Sequence, residues 1–251
     1  MNNLNLNLFN IIIIAGVIHG IIFSSIIFTK KKYITNNTIY LGLTVLFLSL
    51  SNLQYWLIES ETVYKYSFLK IIYIPWHWLI LPMFYLYVHK FIGRKELSKK
   101  IKTYLIAPFF IVLIFHILHI LYYHTSNSVQ HFQRSIYVYL EFFSFIFNVF
   151  IMIFIFKMII WHERDKNFDI QWVKSETNWL KKLIYTGLLI CLLWLIALIM
   201  VVIYNLNKSY IFYPMWIGIS ILIYWIGFAG INKSQELKKR IELRKKKNFT
   251  F

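Results

Sequence analysis

The stretch Leu8-Phe-Asn-Ile-Ile-Ile-Ile-Ala-Gly-Val-Ile-His-Gly-Ile-Ile-Phe-Ser-Ser-Ile-Ile-Phe-Thr29, closed by Lys30-Lys31-Lys32, decides the fold. A hydrocarbon layer about 30 Å thick needs roughly 20 apolar residues of helix. Leu8 to Thr29 supplies that length without a single charge. A cleaved signal peptide carries its basic residues ahead of the apolar run. Here residues 1–7 hold none and three lysines follow, so the segment reads as a membrane span and not as a leader.

The rest of the chain repeats the pattern. Of the 251 residues 59% are apolar, 20% aromatic and only 15% charged. A soluble globular domain is about one-quarter charged. Seven segments are long and apolar enough to be spans: residues 8–29, 39–57, 67–89, 103–122, 137–160, 183–204 and 210–231. The alternating pattern of an outer-membrane barrel is absent, so the spans are helices. The expected fold is all-α, a polytopic bundle of seven transmembrane helices over residues 1–231, with a basic tail over 232–251. No connection is long enough for a separate soluble domain, which would need about 100 residues. Cys191 is the one cysteine, so a disulfide within the chain and a multi-cysteine metal site are both excluded.

Orientation follows from the basic residues beside the spans. The connections 30–38, 90–102 and 161–182, the tail and Lys157 hold 23 of the 27 Lys and Arg. That places the N-terminus outside and the C-terminus in the cytoplasm. The formal charge of +17 therefore reflects topology and contact with anionic lipid, and nucleic acid is not an expected partner of this chain. Within residues 161–182, Phe168, Trp172 and Trp179 fit either an amphipathic helix on the inner leaflet or a polar loop with interfacial tryptophans.

Ionisable residues inside a membrane are candidates for function because burying charge in lipid is costly. Apart from histidine, only Lys70, Glu141 and Lys157 qualify, each near a span end. The missing mid-depth carboxylate argues against proton pumps and ion-coupled carriers. His19 and His77 fall near the middle of the first and third spans, and His116 and His119 share one face of the fourth. Three-residue spacing can bring two imidazoles onto one ligand, but it serves packed, hydrogen-bonded histidines equally well. No metal site and no cofactor is expected, and no clustered catalytic set points to an enzyme.

The third span, with Pro75-Trp76-His77-Trp78 and Pro82 seven residues after Pro75, reads as a helix kinked and partly opened near mid-membrane. Pro214, Gly227 and Gly230 would allow bending and close contact in the last span. The expected ligand site joins Trp76, His77, His116, His119 and Glu141 around an outward-facing cavity. The relay from it would use Pro75, Pro82, Pro214, Gly227 and Gly230. After the last span, a tail free of Pro and Gly can prolong the seventh helix, but its basic residues favour a lipid-binding anchor that stops it.

Tyr73-Ile-Pro-Trp-His-Trp-Leu-Ile-Leu-Pro-Met-Phe-Tyr-Leu-Tyr-Val88, Asn178-Trp-Leu-Lys-Lys-Leu-Ile-Tyr-Thr-Gly-Leu-Leu-Ile190 and Ile223-Tyr-Trp-Ile-Gly-Phe-Ala-Gly-Ile231 carry a resemblance. Together they resemble the seven-helix N-terminal region of membrane-anchored AraC-type transcription regulators of Bacteroidetes-like bacteria. In such regulators a linker and a helix-turn-helix domain follow the last span, whereas this sequence stops within the equivalent of the linker. The resemblance implies a sensor module of the bacterial cytoplasmic membrane, working as a homodimer or with a separate regulator and responding to a small ligand. No DNA-contacting residue carries over. A small-solute transporter or channel is the second expectation.

Overall fold

The computed structural model describes residues 7–30, 36–60, 62, 74–94, 96–124, 130–165, 170–204 and 209–248. Among these the chain is helical and contains no strand. In chain order the helices are α1 (Leu8–Thr29), α2 (Asn36–Glu59), α3 (His77–Phe91), α4 (Lys99–His124), α5 (Gln130–Asp165), α6 (Ile170–Ile203) and α7 (Tyr213–Asn248). A single 3-10 turn, Ser209–Phe212, leads into α7. Six of the helices, all but α3, are long and apolar enough to cross a membrane.

Helix α1 begins where the sequence supplies a cap: the side chain of Asn7 accepts a 2.8 Å hydrogen bond from the Asn10 N–H. Helix α3 is short for reasons equally local. The Pro75 ring would clash with a preceding helical turn, so proline is tolerated in the first turn and not in the interior. Helix α3 accordingly starts directly after it, through a tight turn in which the Pro75 carbonyl accepts from Trp78 N–H at 3.1 Å. At the other end Gly93 adopts φ 72°. Gly93 N–H bonds back to the Lys90 carbonyl and Arg94 N–H to that of His89, a glycine-terminated helix end.

The expected kink between two intrahelical prolines is thereby corrected: Pro75 lies outside the helix and only Pro82 lies within it. Helix α3 has 15 residues, about 22 Å at 1.5 Å per residue, short of the hydrocarbon thickness. Residues 67–73, the first part of the expected third span, lie outside the described residues.

Helix α2 packs on α1, α3 and α7; α1 also packs on α7, α5 joins α3 to α6, and α6 meets α7. Helix α4 makes its principal contact with α3. Cross-links define the two ends of the bundle. At one, Asn7 Nδ2 donates to Tyr213 Oη at 3.1 Å, and Tyr213 Oη donates to Glu59 Oε1, tying together the ends of α1, α2 and α7. At the other, Lys181 Nζ bonds Glu163 Oε2 at 2.6 Å and the Thr177 hydroxyl donates to Glu163 Oε1, joining α5 to α6. Lys30, Lys90 and Arg94 end or follow α1 and α3 at this second end, and Lys99, Lys100 and Lys102 open α4 there.

The α1–α2–α7 sector is built on small residues. A Cβ added to Gly16 would lie 2.7 Å from Ser220, and one added to Gly20 would overlap the Ser49 hydroxyl. Beside them Asn52, fully buried, donates to the Trp216 carbonyl at 3.2 Å and to Ser220 Oγ at 3.1 Å. Ser24 Oγ reaches the Gly42 carbonyl of α2 at 3.0 Å. Small side chains let the helices approach, and the polar groups then bond across the contact.

Two further expectations are corrected. The segment proposed as a surface helix or polar loop instead continues the neighbouring helices: α5 runs to Asp165 and α6 starts at Ile170. Trp179 does not sit at a lipid headgroup. It is 7% exposed and edge-on to Tyr87 and Phe91, because a helix continued into the core carries its aromatic face with it. Phe168 lies outside the described residues. The tail does not stop the seventh helix, as the anchor reading had it, but prolongs it as far as Asn248, since nothing in it breaks a helix.

Candidate functional site

Five helices, α2, α3, α5, α6 and α7, line a half-open cavity of about 100 Å³ with an almost wholly apolar wall. Tyr55 and Ser51 come from α2, His77 from the first residue of α3, Asn148 from α5, Cys191 and Trp194 from α6, and Met215, Ile219 and Leu222 from α7. Tyr55, His77 and Met215 lie near the Tyr213–Glu59 end of their helices, so the cavity occupies that half of the bundle.

The polar groups around the cavity have defined roles. Asn148 is 5% exposed; its Nδ2 donates to the Ser144 carbonyl at 2.9 Å, to Ser144 Oγ at 3.2 Å and to the His77 carbonyl at 3.4 Å. That last bond ties α5 to the first turn of α3. Tyr55 Oη donates to Glu141 Oε1 at 3.4 Å, and the Glu141 carboxylate also acts electrostatically on His77. The His77 ring is 9% exposed, 6.1 Å from the Trp194 ring and edge-on to it. Trp194 is in turn edge-on to Phe145 at 5.8 Å.

The structure brings His77 and Glu141 together, as expected, but separates them from the other three proposed site residues. Trp76 stacks between Phe47 at 5.6 Å and Phe109 at 6.1 Å, within a second apolar cluster between α3 and α4. His116 and His119 share a face of α4, and both are buried. They extend the stripe of Leu105, Phe109 and Val112 that packs in the same cluster, and neither lines the cavity. His77 is placed differently from expectation too: it is the first residue of α3, not a mid-helix residue beside a kink.

The residues assigned to a relay serve several purposes. Pro82 is the interior proline of α3, whereas Pro75 and Pro214 sit at helix starts, where a ring costs no hydrogen bond. Gly227 and Gly230 are close-approach positions: a Cβ would lie 2.6 Å from His19 Nε2 and 2.8 Å from Leu41 Cδ2 respectively. They bring α7 against α1 and α2.

Reading the sequence alone passed over Tyr55, Asn148, Cys191 and Trp194 as site residues. Asn148 had a signal, being the only amide within residues 137–160, four positions after Ser144. No group of three or more His, Cys, Asp or Glu among the described residues could hold a metal ion. No family model, no curated protein and no solved structure matches this chain.

Proposed function

We propose that the chain is the membrane-embedded sensing module of a signalling protein. It crosses a bacterial cytoplasmic membrane seven times with its N-terminus outside, and its input site is the five-helix cavity. The observation that carries this reading is continuity: α7 contributes Met215, Ile219 and Leu222 to the cavity wall and then runs unbroken to Asn248. A ligand that binds one arrangement of the wall better than another would bias the position of the whole helix. The Lys-poor end of the bundle, where the cavity lies, would then face outward. Output through a helix-turn-helix regulator, on the same chain or another, rests on the AraC-type resemblance described above.

Cys191→Trp, which puts a large ring into the cavity, tests the reading in a reporter fused after residue 248. The expected result is an output fixed in one state at unchanged protein abundance, whereas Ile111→Trp on the exposed face of α4 leaves the output responsive. Solute flux in proteoliposomes that Cys191→Trp abolishes would replace the sensor by a small-solute transporter. Orientation is checked separately in a Cys191→Ser background: a cysteine at Asn127 should be labelled from outside intact cells and one at Asn167 should not.

A further inference from the structure

Helices α3 and α4 meet at the Lys-rich end of the bundle, and the charges there are not spread evenly. His89 and Lys90 lie in the last turn of α3, Arg94 follows Gly93, and Lys102 lies in the first turn of α4. Lys99 and Lys100 are exposed, as lysines beside a membrane span ordinarily are. Lys90, Arg94 and Lys102 are half-buried, and His89 is 7% exposed. Lys102 stands three residues before Leu105 and seven before Phe109, so it opens the stripe of α4 that packs on α3. The charges of Arg94, Lys102 and Lys90 all act on the His89 ring, and that of Arg94 also on the Tyr85 hydroxyl. The Tyr85 ring is 6.2 Å from that of His89.

The fold does not use these charges itself. The last carbonyls of α3 already have donors: His89 accepts from Arg94 N–H, and Lys90 from Gly93 N–H and from Asn37 Nδ2 at 3.5 Å. Arg94 and Lys102 are paired with no carboxylate among the described residues. Lys90 Nζ lies 5.2 Å from the Tyr40 ring centroid and 3.8 Å from Glu96 Oε1, on a side chain 76% exposed. One carboxylate against three cations leaves two positive charges uncovered. A basic bias on one side of the membrane requires only that lysines reach water. It does not require them to gather, half-buried, around a buried histidine, where like charges repel and water screens them less.

A phosphomonoester carries a charge of about −1.5 to −2 and three acceptor oxygens. The arginine fork suits phosphate, and a phenol and a neutral imidazole add donors without adding charge. Directly along α4 from Lys102, Tyr104, Phe110 and Ile111 are exposed, an apolar face against which acyl chains can lie. We infer that the α3–α4 junction binds the phosphomonoester headgroup of an anionic lipid such as phosphatidic acid. Basic pockets between membrane helices are suited to such headgroups. This site is independent of the role given to the cavity.

The test uses the full chain in phosphatidylcholine nanodiscs doped with phosphatidic acid or, at matched total charge, with phosphatidylglycerol, a diester. It reads the unfolding temperature as the doped fraction rises. Phosphatidic acid should raise it at the lower fraction. Arg94→Gln with Lys102→Gln should move the phosphatidic acid midpoint up about tenfold. Lys99→Gln with Lys100→Gln, which removes the same charge from the exposed lysines, should leave it unchanged. Should the first pair fail to fold, the ranking of the two lipids in the native chain still decides. Inorganic phosphate added to undoped nanodiscs should do nothing; a shift equal to that of phosphatidic acid would keep the phosphate site and reject a lipid as its source. Equal responses to the two lipids, equal losses from the two double variants, or no response to phosphatidic acid overturns the proposal.

Discussion

Helices α1 and α4 are both long apolar segments able to cross a membrane, yet 39% of the apolar window of α1 is buried inside the bundle against 11% of that of α4. The difference lies in side-chain size. Helix α1 places Gly16, Gly20 and Ser24 on one face at four-residue spacing, and α2 and α7 close onto that stripe. Helix α4 has no glycine; it packs Phe109 and Val112 towards α3 and leaves Phe110, Ile111, Ile114 and Leu118 exposed. In a medium as apolar as leucine, apolarity alone brings no helix to another, whereas close backbone contact does. Position in this bundle therefore follows steric fit more than hydrophobicity.

The contrast can be broken most forcefully at Gly20. Gly20→Leu must displace the Ser49 hydroxyl and Ile223 at once, and should cost about 3 kcal/mol or more, seen as loss of the folded fraction in thermal unfolding. Next is Ile114→Lys. If the exposed face of α4 meets hydrocarbon, a mid-helix charge costs about 2.5–3.5 kcal/mol and lowers membrane insertion in cells. Normal insertion would mean that this face is covered or hydrated, and the comparison with α1 would lose its basis. Asn52→Leu removes the bonds to Trp216 and Ser220 and should destabilise by about 1 kcal/mol in detergent unfolding. Smallest is Ile111→Val, expected within about 0.5 kcal/mol by the same measurement.

Much of this arrangement was legible before any coordinates. The ends of α1 could be read because its apolar run begins at Leu8 and lysines close it at the other end. The continuation of α7 was permitted by a tail without helix breakers, but the lysines and arginines there favoured an anchor that ends the helix; the helix continues because contact with lipid and helical order are not exclusive in a basic segment. The third span misled because Pro75 and Pro82 look alike in sequence, although a proline that can sit just ahead of a helix has a different effect from one inside it. At the site, His116 and His119 were rightly placed on one face. Which neighbour that face meets depends on tertiary packing, and it proved to be the α3–α4 cluster. His77 and Glu141 converge only because α3 starts where it does, next to Asn148 and Tyr55. Their amide and phenol partners drew no notice among so many aromatic residues.

The unbroken length of α7 also sets a mechanical scale. Its 36 residues extend about 54 Å, nearly twice the thickness of the hydrocarbon. From Gly230, where the helix rests against Leu41, to Asn248 is about 27 Å of projecting rod. A tilt of about 10° at that fulcrum would swing the far end by about 5 Å, roughly one helical turn. Met215 lies about 22 Å on the other side of that fulcrum and would move about 4 Å in the same tilt, so a stiff helix passes displacement from the cavity to the far end almost one to one. A glycine pair inserted just beyond Gly230 would remove that coupling without touching the cavity.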